Sequence, residues 1–163
     1  MKYFAYGSNM SLLRLRKRVP SASRLGVFFL EKHELRFHKW NVDGSGKCDA
    51  YSTGQSSHVV MGALFEIDKA HKPALDRAEG LGNGYEEKYV QVKSPYGDSC
   101  EAFTYYATTI DPSLKPYSWY LNHVLVGAQE TQLTAPYLQA LRSTQCIEDP
   151  DTLRDAKERA IYQ

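Results

Sequence analysis

Cysteine is scarce in this 163-residue chain, and its spacing excludes more than its number does. Cys48, Cys100 and Cys146 are odd in number and far apart, with neither a C-x-x-C pair nor a Cys/His cluster, which argues against structural zinc and against a disulfide scaffold. An excess of one charge is also missing. Twenty Lys+Arg face 19 Asp+Glu for a net +1, so no whole-protein field draws nucleic acid or an anionic membrane surface. Long apolar runs are absent too: none reaches the roughly 18 residues of a membrane span, and Gly7-Ser8-Asn9 interrupts the first apolar stretch. These absences predict a cytosolic protein with reduced thiols and no nucleic-acid or membrane partner.

What the chain has is enough material for one α+β domain over residues 1–163. At this length, folding should bury roughly 70% of the unfolded chain's surface, and the hydrophobic fraction of 42% is ordinary. Twelve Tyr, six Phe and two Trp supply amphipathic rings suited to lining a polar pocket. No repeat, low-complexity tract or linker divides the sequence.

The order of elements is strands first, helices last. A strand over Tyr3–Tyr6 breaks at Gly7, and residues 11–18 read as a short helix stopped by Pro20. Its Arg14, Arg16, Lys17 and Arg18 suit the C-terminal end of the helix dipole and read as a solvated face. Residues 24–40 alternate as one long strand or a bent pair, 41–47 form a loop, and 51–67 read as strand. Within that stretch, Val59–Phe65 is apolar enough to be central. Asp68 caps a helix over 69–78, and strands at 85–92 and 101–108 form a hairpin around Ser94-Pro95-Tyr96-Gly97-Asp98. Helices are expected at 115–130 and 134–143, with a weaker one at 151–160. The expected architecture is a small mixed β-barrel or strongly curved sheet flanked by helices.

Two places could carry chemistry. At the first, a strand ends at Gly7 and Ser8-Asn9 enters a helix, where a close backbone approach and unpartnered N–H groups can cradle an anion or a carbonyl oxygen. At the second, Leu75-Asp76-Arg77-Ala78-Glu79-Gly80 puts a carboxylate at a helix end, followed after three residues by Gly84-Tyr85. Buried, such a glutamate has its pKa raised and becomes a better proton shuttle near neutral pH. No histidine sits in a recognisable triad with Ser8. His33 and His38, five apart on a strand, point to opposite faces and make a poor metal pair. Cys100 reads as core.

Taken together, Tyr3-Phe4-Ala5-Tyr6-Gly7-Ser8-Asn9 and the Leu-Asp-x-x-Glu-Gly-x-x-x-Gly-Tyr segment resemble the γ-glutamylcyclotransferase family in order and spacing. The stretch Tyr120-Leu121-Asn122-His123-Val124-Leu125-Val126-Gly127-Ala128 and Pro136-Tyr137 resemble its C-terminal segment. The resemblance implies a small mixed barrel flanked by helices, and release of an amine from an L-γ-glutamyl compound as the glutamyl part closes to 5-oxoproline, with no cofactor and no metal. It implies Glu79 as catalytic acid/base, and Tyr6, Gly7, Ser8, Asn9, Tyr85 and Tyr120 as substrate-binding residues. Where some members carry a tyrosine seven residues after the glutamate, this chain has Glu86, with Tyr85 one position earlier; Asn9, where the glutathione-specific branch usually has Leu, argues against glutathione. Two other classes compete: a catalytically silent module binding γ-glutamyl or other small carboxylate ligands through the same cradle, and a protein-interaction domain using a Tyr-rich surface.

Overall fold

A computed structural model describes residues 1–163. Its centre is a closed five-stranded barrel in the order β1 (Lys2–Ala5), β5 (Val59–Glu66), β2 (Ser23–Glu31), β6 (Tyr85–Lys93), β7 (Ser99–Ala107). Neighbours run antiparallel except β7 and β1, which close the barrel in parallel through Tyr3 and Phe103. The apolar run 59–65 is central, as its composition predicts: β5 pairs with β1 on one side and β2 on the other. Phe4, Val60, Leu64, Phe65, Val92 and Phe103 are almost wholly removed from water and form the hydrophobic interior.

A two-stranded hairpin, β3 (His33–Trp40) and β4 (Gly46–Ser52), leans over one end of the barrel. One backbone bond and one side-chain bond hold it there: Trp40 N donates to Thr109 O at 2.9 Å, and Ala107 N donates to the buried Asp49 carboxylate at 2.9 Å. His38 adds a 2.7 Å hydrogen bond to the same carboxylate. The 24–40 segment is therefore the bent pair of the two options, turning at Lys32 with φ 62°. The strand expected across 51–67 is two strands of different sheets, separated by an irregular stretch at Thr53–His58. That stretch is rich in Gly, Ser and Gln, which favours turns over pairing. The loop expected at 41–47 ends early, because Gly46 and Lys47 already pair with Trp40 and Lys39.

Helices cover the barrel: α1 (Leu12–Arg16), α2 (Lys72–Glu79), α3 (Ser118–Glu130), α4 (Ala135–Arg142) and α5 (Thr152–Arg159). Helix α3 packs on the 3₁₀ turn Ser8–Met10, and a Cβ at Gly127 would stand 2.4 Å from Ser11 N, so this contact needs glycine. Asp149 ties α5 to α3 by accepting from Trp119 Nε1 at 2.7 Å and from Arg154 through two 2.6 Å bonds. No helix is long and apolar enough to cross a membrane.

Candidate functional site

The barrel end beneath the β3–β4 hairpin opens into a small recess lined by five tyrosines and Glu79. Three chain segments meet there for separate local reasons. The first is the turn after β1, where Gly7 precedes the 3₁₀ turn and comes so close to β4 that an added Cβ would lie 3.0 Å from Cys48 Cβ. The amide N–H groups of Gly7 and Asn9 donate to nothing else in the chain. The second is the end of α2, where Gly80 adopts the left-handed conformation (φ 74°, ψ 44°) and Leu81 N reaches back to Asp76 O at 3.0 Å. This cap stops the helix at Glu79 and leaves that side chain free to turn inward. The third is a wall of tyrosines from β6, β7 and α3.

Asn9 joins the first two segments. It is 4% exposed, and its Nδ2 donates to Glu79 Oε1 at 2.7 Å and to Tyr3 Oη at 3.2 Å, while its Oδ1 accepts from Arg18 at 3.3 Å. Glu79 is half-buried as a residue, but its carboxyl lies within the recess. Burial pushes its pKa above the ordinary glutamate value, against the opposing pull of Arg18, the Asn9 hydrogen bond, Arg14 and Lys39.

All seven residues singled out in the sequence, Tyr6, Gly7, Ser8, Asn9, Glu79, Tyr85 and Tyr120, line this recess. Tyr85 Oη donates to Cys48 O, and Tyr120 Oη accepts from Cys48 N at 3.0 Å, so both rings clamp β4 to the barrel mouth. Tyr6 Oη is committed to Tyr105 O at 2.6 Å. Glu86 is absent from the recess wall, whereas Tyr85 faces it.

Sequence reasoning missed Tyr3, Cys48 and Tyr105, which complete the wall. Tyr3 and Tyr105 carried a signal, being polar-tipped aromatics in strands whose neighbours were already implicated. Cys48 carried none, because its position depends on how the hairpin folds over the barrel. The reading of the basic cluster as a solvated face needs correction. Arg16 and Lys17 are exposed, but Arg14 and Arg18 are half-buried and turn toward the mouth of the recess. Cys100 packs against the core as expected, though only partly buried.

Comparison with known proteins bears on the family and the fold. Residues 59–141 match the AIG2-like family, a span that holds Glu79, Tyr85 and Tyr120 but not the Gly7–Asn9 turn. The γ-glutamylcyclotransferase of Bos taurus is 29% identical over 149 residues, covering 86% of this chain and 77% of that protein. Its Mus musculus counterpart is 27% identical over 167 residues, covering 98% of this chain and 86% of that protein. Among solved structures, a γ-glutamyl cyclotransferase superposes with a TM-score of 0.85 at 24% identity, covering 98% of each chain. The mixed barrel flanked by helices is thus a γ-glutamylcyclotransferase-like fold.

Proposed function

The chain belongs to the AIG2-like family, and on that footing we propose that it is a γ-glutamylcyclotransferase-like enzyme. In this reading it converts an L-γ-glutamyl amino acid or amine to 5-oxoproline and the free amine, with Glu79 as the proton-transfer group. The observation that carries the reading is the 2.7 Å hydrogen bond from Asn9 to Glu79, which sets the one carboxyl of the recess beside the turn whose amides are free.

The chemistry asks for this arrangement. The substrate's α-amine, once deprotonated, attacks its own γ-carbonyl carbon; a C–N bond forms, the amide C–N bond breaks, and a five-membered lactam results. Two protons leave the α-ammonium over the cycle, and the departing nitrogen ends with two more, so no net proton is exchanged with solvent. One carboxyl can take a proton and return it in sequence, and a raised pKa suits it to both directions near neutral pH. The N–H groups of Gly7 and Asn9 serve as donors to the glutamyl oxygens, including the oxygen that gains charge during attack. Holding the flexible glutamyl chain folded on itself contributes further, since cyclisation needs the amine and carbonyl in near-attack geometry.

Glu79→Gln tests the reading, because it keeps the Asn9 hydrogen bond while removing the titrating group. 5-Oxoproline release from γ-glutamyl dipeptides should fall by roughly 10²–10⁴-fold. Undiminished turnover would remove Glu79 from the mechanism. Wild-type protein that binds γ-glutamyl compounds in calorimetry yet forms no product would instead mark a silent binding module.

A further inference from the structure

A second, more open recess adjoins the first and shares Ser8, Glu79, Tyr85 and Tyr120 with it. Its outer wall carries four cations, Arg14, Arg18, Lys39 and Lys47, and two of these are already neutralised. Arg14 pairs with Glu158 at 2.9 Å, and Lys47 pairs with Asp43 at 3.0 Å.

Lys39 and Arg18 are different. Lys39 is only 5% exposed, yet its ammonium has neither an ion-pair partner nor a hydrogen bond; it lies over the Tyr85 ring, 4.7 Å from the centroid. The chain makes room for it at Gly84, whose φ of 101° disfavours other residues and where a Cβ would sit 2.9 Å from Lys39 Cε. The charges of Glu79 and Asp43 act on Lys39 from beyond ion-pair distance, so the ammonium faces the recess with room for an anion in direct contact. Arg18, half-buried, donates one hydrogen bond, to Asn9 at 3.3 Å, and forms no ion pair, although the Glu79 charge acts on it at longer range.

The two recesses meet at Glu79, where the scissile amide must lie if the cyclotransferase reading holds. A glutamyl group in the first recess therefore projects its leaving group into the second. We propose that Lys39 and Arg18 form a leaving-group subsite that selects γ-glutamyl compounds whose departing amino acid carries two carboxylates. Two unpaired cations match two carboxylates, and a γ-glutamyl amine would leave both unsatisfied. This inference rests on the proposed function for the position of the substrate, and both residues act in positioning rather than in the bond-forming step.

The test compares γ-glutamyl-glutamate, γ-glutamyl-glutamine and γ-glutamyl-ethylamide on wild type, Lys39→Met and Arg18→Gln, each checked by thermal melting. Wild type should favour the glutamate over the glutamine compound in kcat/KM by roughly 10- to 100-fold, the worth of one charge-assisted hydrogen bond. The ethylamide should be poorest. In either variant that ratio should fall several-fold toward one, and a variant that fails to fold leaves the other to decide. Equal kcat/KM for the two dipeptides in wild type, or a ratio unmoved in the folded variants, would overturn the subsite. If no compound is turned over, the cyclotransferase reading fails, and calorimetry on the same compounds decides the subsite separately. A binding preference for the glutamate compound that Lys39→Met abolishes would uphold it, and no preference would overturn it.

Discussion

Replacing Asn9 by Leu keeps side-chain size and removes three polar contacts at the centre of the site. The bond to Glu79, at 2.7 Å, involves a group that ionises, and such bonds contribute about 1.5–3 kcal/mol each. The bond to Tyr3 is longer, at 3.2 Å, and neutral, worth about 1 kcal/mol or less. The 3.3 Å contact with the partly solvated Arg18 adds little once screening is allowed for. The loss is then about 2–4 kcal/mol, which for a chain of this size lowers Tm by roughly 4–16 °C. The kinetic consequence has a definite sign. Asn9 donates to Glu79 and so favours its ionised form; without that bond the carboxyl holds its proton to higher pH. If Glu79 acts first as a base, the acid limb of the kcat/KM profile moves to higher pH. At a fixed pH on that limb the rate falls beyond any loss from geometry. The assay is a pH series of 5-oxoproline release on folded protein. A profile whose acid limb stays in place, with the protein still folded, would show that Asn9 does not govern the catalytic ionisation.

Glu79→Gln should also affect stability, in the direction opposite to activity. Burial raises Glu79 above its unfolded value, so ionising it costs folded protein stability as pH rises through the folded pKa. Melting curves should find the variant at least as stable as wild type at pH 8, with the difference shrinking as pH falls through the raised folded pKa and gone below about 4, the unfolded carboxylate value. A wild type more stable than the variant at pH 8 would contradict the sign. Gly7→Ala forces a methyl to within 3.0 Å of Cys48 Cβ and 3.5 Å of Tyr120 Oη. It should cost about 1–3 kcal/mol in chemical denaturation and lower kcat/KM by roughly 10–100-fold, since the cradle shifts against Glu79. Near wild-type activity would mean the turn does not hold the glutamyl group.

Most of the inner shell was legible in the sequence because its residues lie at element boundaries that leave local marks. Gly7 ends a strand, Gly80 caps a helix, and Asn9 and Glu79 are the polar residues at those breaks. The barrel was legible as a class through the β5 run and the β6–β7 hairpin. Its closure was not, because the parallel β7–β1 pairing joins segments about a hundred residues apart and leaves no periodic signature. The outer shell was least legible. Lys39 sits in a strand whose alternation says nothing about a cavity, and it reaches the site only because the hairpin folds over the barrel end. Arg14 and Arg18 looked like a solvated face because helical spacing shows which residues lie together but not what they are laid against.

The chemistry of the recess concentrates on one residue by elimination. Apart from Ser8, its hydroxyls are tyrosines, and three of those have their protons committed: Tyr6 to Tyr105 O, Tyr85 to Cys48 O, and Tyr105 to Asp76 at 2.5 Å. Burial raises the pKa of Tyr3, Tyr6, Tyr85 and Tyr120 further, and it pushes the Cys48 thiol up to about 12. None of these groups exchanges protons readily at neutral pH. Glu79 is also raised, but a carboxyl starts far below neutrality, so the same burial that silences the phenols and the thiol brings it toward the working range. A single desolvating environment therefore both suppresses competing ionisations and tunes the one carboxyl present. The proposed cyclisation needs one group to accept a proton and then return it, and burial shifts the one carboxyl of this recess in the direction that exchange requires.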